Sequence, residues 1–130
     1  MWSMGWGLAV ALLLAARPAS AGEAPWVAPP EAKARKNPVA RAEGLREGKK
    51  AYDTNCAVCH GATGKGDGPG AAALNPKPKN LADKEIQDQT DGELFWKISK
   101  GRGVMPPWEQ FPEKDRWSLV HYLRSLAPKK

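Results

Sequence analysis

Two thiols and an imidazole stand together at Cys56-Ala57-Val58-Cys59-His60, and these are the only cysteines of the 130-residue chain. Four chemistries use such groups. Structural zinc takes four donors, usually in two pairs, and here there are three with no second pair. A redox dithiol normally sits in a strand–helix unit, and none is legible around residue 56. A disulfide across two residues closes almost no loop and stabilises little. The fourth is covalent haem attachment. C-x-x-C-H holds two thiols on one turn, each able to add to one vinyl group of the porphyrin, and the next residue offers its imidazole to the iron. The spacing points to this chemistry.

An iron that only passes electrons needs a sixth ligand. Met105 stands in Gly101-Arg102-Gly103-Val104-Met105-Pro106-Pro107-Trp108. Glycines before it permit tight backbone approach, and two prolines after it stiffen the loop. Met1 and Met4 lie in the N-terminal segment described below, so Met105 is the candidate methionine. Filling the core is the alternative use of a methionine. His121 is the rival ligand, on a predicted helix beside its apolar stripe. A Met/His pair raises the reduction potential relative to His/His, because soft sulfur favours ferrous iron.

These ligands must be held by short helices and loops, since no alternating strand pattern is present. A first helix is predicted over Leu45 to Asn55, with Leu45, Gly48 and Tyr52 on one face. Residues 60–80 contain Gly61, Gly64, Gly66, Gly68 and Gly70 with Pro69, Pro76 and Pro78. They predict a long wrapped loop with one helical turn at Ala71 to Leu74. Thr90 with Glu93 fits a capping box, and Gly101 supplies the stop of that helix. Phe95 and Ile98 mark its buried side. The last helix is predicted from Pro112 to Leu126, with Leu119, Tyr122, Leu123 and Leu126 as its stripe.

The chain opens with an apolar run, Leu8 to Ala16, followed by Arg17-Pro18 and the small-x-small pattern Ala19-Ser20-Ala21. This predicts an export signal over 1–21 and a periplasmic location. The run is short for a span, and residues 1–7 lack Lys and Arg. The alternative is a retained membrane tether with Trp2 and Trp6 at the interface. Residues 22–41 are rich in Pro, Ala and Lys and predict an extended arm. The domain proper is expected over 42–130. Net charge is +6, and loss of the signal removes only Arg17 among charged residues, so the exported chain stays basic. A basic surface suits acidic partners. Nucleic acid is excluded by export and by the lack of a stacking pattern or reading helix.

With CAVCH near its start, a G-V-M-P-P-W loop 45 residues after His60 and a closing Trp/Leu/Tyr helix, residues 42–126 resemble the class I monohaem c-type cytochromes, the bacterial cytochrome c family. The loop Gly61-Ala62-Thr63-Gly64-Lys65-Gly66-Asp67-Gly68-Pro69 is similar to the one after the haem motif in bacterial members. The resemblance implies an all-α fold of about four to five short helices wrapped around one covalent haem c, with crossed N- and C-terminal helices. Gly48, Tyr52, Leu119 and Tyr122 match the family's crossing point. It implies iron ligation by His60 and Met105. It also implies a proline carbonyl bonded to the haem histidine: Pro78 is the first choice, with Pro76 and Pro69 open. Trp108 is expected to pack near the haem, its indole N–H within reach of a propionate.

The function so implied is one-electron carriage without catalysis, the protein setting the potential and excluding water. Lys65, Lys77, Lys79, Lys100 and Arg102 are candidates for a docking patch toward redox partners with acidic surfaces; a plain solvated lysine surface is the alternative. A subunit of a larger respiratory or dehydrogenase complex, associated with a membrane, is the competing reading, favoured by the length of the arm. A haem sensor or peroxidase with an open iron site is the third.

Overall fold

The computed structural model describes residues 24–129 together with Met1. The expected export segment lies, Met1 apart, outside the described residues. Among the described residues there are six α-helices: α1 (Pro30–Lys33), α2 (Arg41–Asn55), α3 (Ala57–His60), α4 (Lys84–Gln87), α5 (Asp91–Lys100) and α6 (Glu113–Ser125). A 3-10 turn covers Ala71–Ala73, and the only extended pairing among the described residues is an isolated bridge between Arg102 and Met105. No helix among the described residues is long and apolar enough to cross a membrane.

α2 crosses α6, and the crossing depends on missing side chains. A Cβ on Gly48 would collide with the Ser118 carbonyl, and one on Gly44 with the His121 ring. Two helices approach this closely only where one of them is bare. Tyr52 fills the space beside the contact. It is fully buried, its ring centroid is 4.9 Å from that of Tyr122, and its hydroxyl donates to the Gly61 carbonyl at 2.6 Å. The buried face is therefore Gly44, Gly48 and Tyr52, one residue earlier than the face predicted from Leu45, which is half-buried. The helix also begins earlier, at Arg41, so that Gly44 can join the contact.

α5 is framed as its sequence predicts. The Glu93 amide donates to Thr90 Oγ1 at 3.2 Å, and the Thr90 amide donates to the Glu93 carboxylate at 2.6 Å. The helix ends at Gly101, whose φ of +61° suits glycine. Phe95 stacks on Trp117 of α6, centroids 4.0 Å apart. α6 buries Trp117, Ser118, Leu119, Val120 and Leu123. That is wider than the predicted stripe, because α6 is covered by α2 on one side and by α5 on another. Pro112 sits just outside the helix rather than in its first turn.

The stretch 22–41, predicted as an extended arm, is packed on the domain over its described part. Most of it has no regular secondary structure, but it contains α1, and Ala28 and Ala32 are buried. Thr90 Oγ1 donates to the Lys33 carbonyl at 3.0 Å, and Asn37 donates to the Trp117 carbonyl at 2.9 Å. The Arg35 guanidinium lies 4.6 Å from the Phe95 ring centre. Arg35 also pairs with Glu113. The composition of the arm reads as linker, whereas its contacts are long-range and leave no periodic trace.

Candidate functional site

The C-x-x-C-H turn follows directly on α2. Cys56 closes α2, and Ala57–His60 form α3. A helix this short leaves its carbonyls unpaired. The glycine loop pairs them: Gly70 N–H donates to Val58 O at 2.8 Å, Gly68 N–H to Cys59 O at 3.1 Å and Gly66 N–H to His60 O at 2.8 Å. A side chain at Gly68 would strike the Val58 carbonyl. The loop glycines form a backbone clamp on the turn that carries both thiols and the imidazole.

Met105 is held with similar economy. Arg102 and Met105 exchange backbone hydrogen bonds of 2.9 and 3.0 Å. The Trp108 amide donates to the last carbonyls of α5, Ile98 at 3.2 Å and Ser99 at 3.1 Å. The loop is thus tied down on both sides of the methionine, and Gly101, with the Met105 carbonyl against it, has no room for a side chain.

Both ends meet in one cavity of about 770 Å³. Cys56, Cys59, His60, Pro78, Met105 and Trp108, the six candidate residues, all line it. Leu81, Leu94, Ile98, Leu119 and Leu123 supply apolar wall, so the chamber is greasy with few polar groups, as cofactor sites are. His121 is not among its walls. Its Nε2 lies 2.7 Å from the Val39 carbonyl and its ring backs onto Gly44, so the rival ligand is spent at the helix crossing. Its role there was legible only as an offset from the apolar stripe.

His60 Nδ1 is buried and lacks a full hydrogen bond. Burial lowers the pKa of the ring, and the Lys79 backbone carbonyl acts against that shift. The Pro78 carbonyl lies against Gly66. Of the candidate prolines, Pro78 and Pro76 line the cavity and Pro69 does not. Burial, and then the neighbouring Cys59, push the Cys56 thiol up to about 12. Among the described residues no three His, Cys, Asp or Glu side chains gather to hold a bare metal ion. The donors present, two thiols on one turn, one imidazole nitrogen and one thioether in an apolar chamber, suit an iron porphyrin instead.

Sequence reasoning missed Ala24, Pro25, Trp26 and Lys97, which also line the cavity. Nothing in the spacing of these residues connects position 26 with position 97.

The fold and this site define a c-type cytochrome domain. A family described as cytochrome c oxidase, cbb3-type, subunit III matches residues 43–123, and the chain belongs to that family, which carries covalently bound c-type haem and serves haem-based electron transfer. Among solved structures, the chain is similar to a chain of the reducing HAO-like protein complex Kustc0457/Kustc0458 of Kuenenia stuttgartiensis. The TM-score is 0.58 at 27% identity, over 66% of this chain and 44% of that one. It is also similar to the KustC0563 c-type cytochrome, with TM-score 0.54 and 26% identity, over 62% of this chain and 98% of that one. This chain thus matches less than half the length of the first of these structures.

Proposed function

We propose that the chain is an exported, periplasmic one-electron carrier rather than an enzyme, holding a single haem c through thioethers to Cys56 and Cys59, with His60 and Met105 as axial ligands. The observation that carries this reading is that His60 and Met105 line one apolar cavity from separately clamped elements, with both thiols on the histidine's turn. When bound, the haem supplies the one-electron couple. The chain's own residues do the rest. His60 and Met105 would hold the iron between them and so keep small ligands out. A neighbouring carbonyl, with that of Pro78 as the first choice, would orient the imidazole at Nδ1, which has no hydrogen-bond partner in the structure. Leu94, Ile98, Leu119 and Leu123 exclude water and so favour the less charged ferrous form. Trp108 closes the wall beside Met105.

Electrons pass where partners approach. Val58 and Val104 are exposed beside the cavity they help line. Lys65 and Lys77 are exposed, Lys77 at the cavity itself, whereas Lys79 pairs with Glu85 at 3.5 Å and Lys100 with Glu109 at 2.6 Å. The docking patch toward acidic partners therefore rests chiefly on Lys65 and Lys77.

A second reading, a subunit of a larger respiratory complex, is favoured by the family's description and by the neighbour from a multi-protein complex. It draws no support from the arm, which packs on its own domain. Co-purification from native membranes separates the two readings. Peptide mass spectrometry of the matured protein tests both: one haem mass on the peptide containing Cys56 and Cys59 is expected, and unmodified thiols would refute the proposal.

A further inference from the structure

The N-terminal stretch before α1 has a destination. α1 is seated on α5, with Ala32 buried and its carbonyl so close to Gly92 that no side chain fits there. From this anchor the chain runs back past buried Ala28 to Trp26, Pro25 and Ala24, which form part of the cavity wall. Trp26 is half-buried. The Lys97 ammonium lies 5.4 Å from the centre of its ring and the Arg102 guanidinium 5.9 Å. Arg102 also donates to the Ala24 carbonyl.

Arg102 is therefore shared. Its backbone exchanges two hydrogen bonds with Met105, while its side chain grips the N-terminal segment through Ala24 and Trp26. Through one residue, the segment and the methionine's turn are fastened together beside the cavity.

We propose that residues 24–26 form a strap that completes the haem pocket beside Met105, with Trp26 as a wall and Arg102 as the clamp, and that this strap sets how readily Met105 yields its place to another ligand. The inference rests on the haem reading above and adds to it a determinant outside the matched family region, residues 43–123. Trp26 and Arg102 act here as positioning residues. The indole blocks the path an external ligand would take, and the clamp restrains the turn that must move when Met105 leaves.

The test uses the full-length haem-loaded protein and imidazole as competing ligand, titrated against the ferric form and followed by absorbance. Trp26→Ala is expected to bind imidazole about tenfold more tightly than the wild type, the scale of losing one or two cation–π contacts and the ring between them. Trp26→Phe should lie near the wild type, since an aromatic ring is restored. Arg102→Gln should shift affinity in the same direction as Trp26→Ala. If Trp26→Ala does not mature, Arg102→Gln carries the test alone. Affinities within about twofold of the wild type in the variants that mature would overturn the strap. Failure of the underlying reading is visible earlier and separately, because a wild-type ferric spectrum without a sulfur–iron band removes Met105 from the iron and the strap's role with it.

Discussion

Gly48 of α2 lies directly against the Ser118 carbonyl of α6, a contact too close for any side chain. The relationship sets the angle at which α2 and α6 cross, and hence where α2 delivers Cys56 and His60. Gly48→Ala should destabilise the haem-loaded protein by about 1–3 kcal/mol, the range for forcing bulk into a packed contact. Gly103→Ala is the informative control. Nothing lies within 4 Å of a Cβ there, but φ is +56°, so only the backbone cost of about 1–2 kcal/mol applies. Urea unfolding of both variants should show Gly48→Ala carrying the loss of α2–α6 packing.

Tyr52 joins the crossing to the haem turn, its hydroxyl donating to Gly61 at 2.6 Å from a fully buried ring. Tyr52→Phe removes one of the two hydrogen bonds the Gly61 carbonyl accepts, the Gly64 amide keeping the other at 3.2 Å, at a cost of about 0.5–1.5 kcal/mol. Gly61 follows His60 directly, so the variant should also exchange the amides of residues 59–61 faster. Hydrogen exchange by mass spectrometry checks this; unchanged protection across the turn would contradict it.

The capping box predicts a pH response. Glu93 is held below the ordinary carboxylate pKa, chiefly by the Thr90 amide and further by the Lys33 and Lys97 charges. A lowered folded pKa means that the contribution is complete above the unfolded value of about 4.3 and is lost as pH falls through the folded value. Glu93→Gln should cost about 1 kcal/mol near neutral pH and flatten the acid limb of stability below pH of about 4. Thermal unfolding between neutral and acidic pH reads both effects.

Charge at the exposed edge is testable by kinetics. Lys77→Glu and Lys65→Glu should slow electron transfer to an acidic partner at low ionic strength and leave the unimolecular potential nearly unchanged. The wild-type rate should fall as salt rises. A rate indifferent to ionic strength would remove the patch.

The legible parts of this molecule are those written locally. Cys56, Cys59 and His60 declare themselves by spacing, and α5 is bracketed by Thr90, Glu93 and Gly101 because caps are short-range chemistry. Tyr52 and Gly48 are legible as one helical face. What escapes is contact between distant segments. Gly44 pairs with His121, Arg35 covers Phe95, and Trp26 reaches Arg102, each across a separation with no period to betray it. The loop itself was legible, but nothing local says that Gly66, Gly68 and Gly70 donate in order to His60, Cys59 and Val58. The two axial candidates lie between these extremes: His60 is fixed by motif, while Met105 was singled out by its loop.

The most direct test of the account is the absorption spectrum of the matured wild-type protein in its ferric and ferrous forms. The account predicts a low-spin covalent haem in both, with a sulfur–iron charge-transfer band in the ferric state that disappears in Met105→Ala. A high-spin ferric spectrum without that band, together with ready binding of carbon monoxide to the ferrous form, would contradict it.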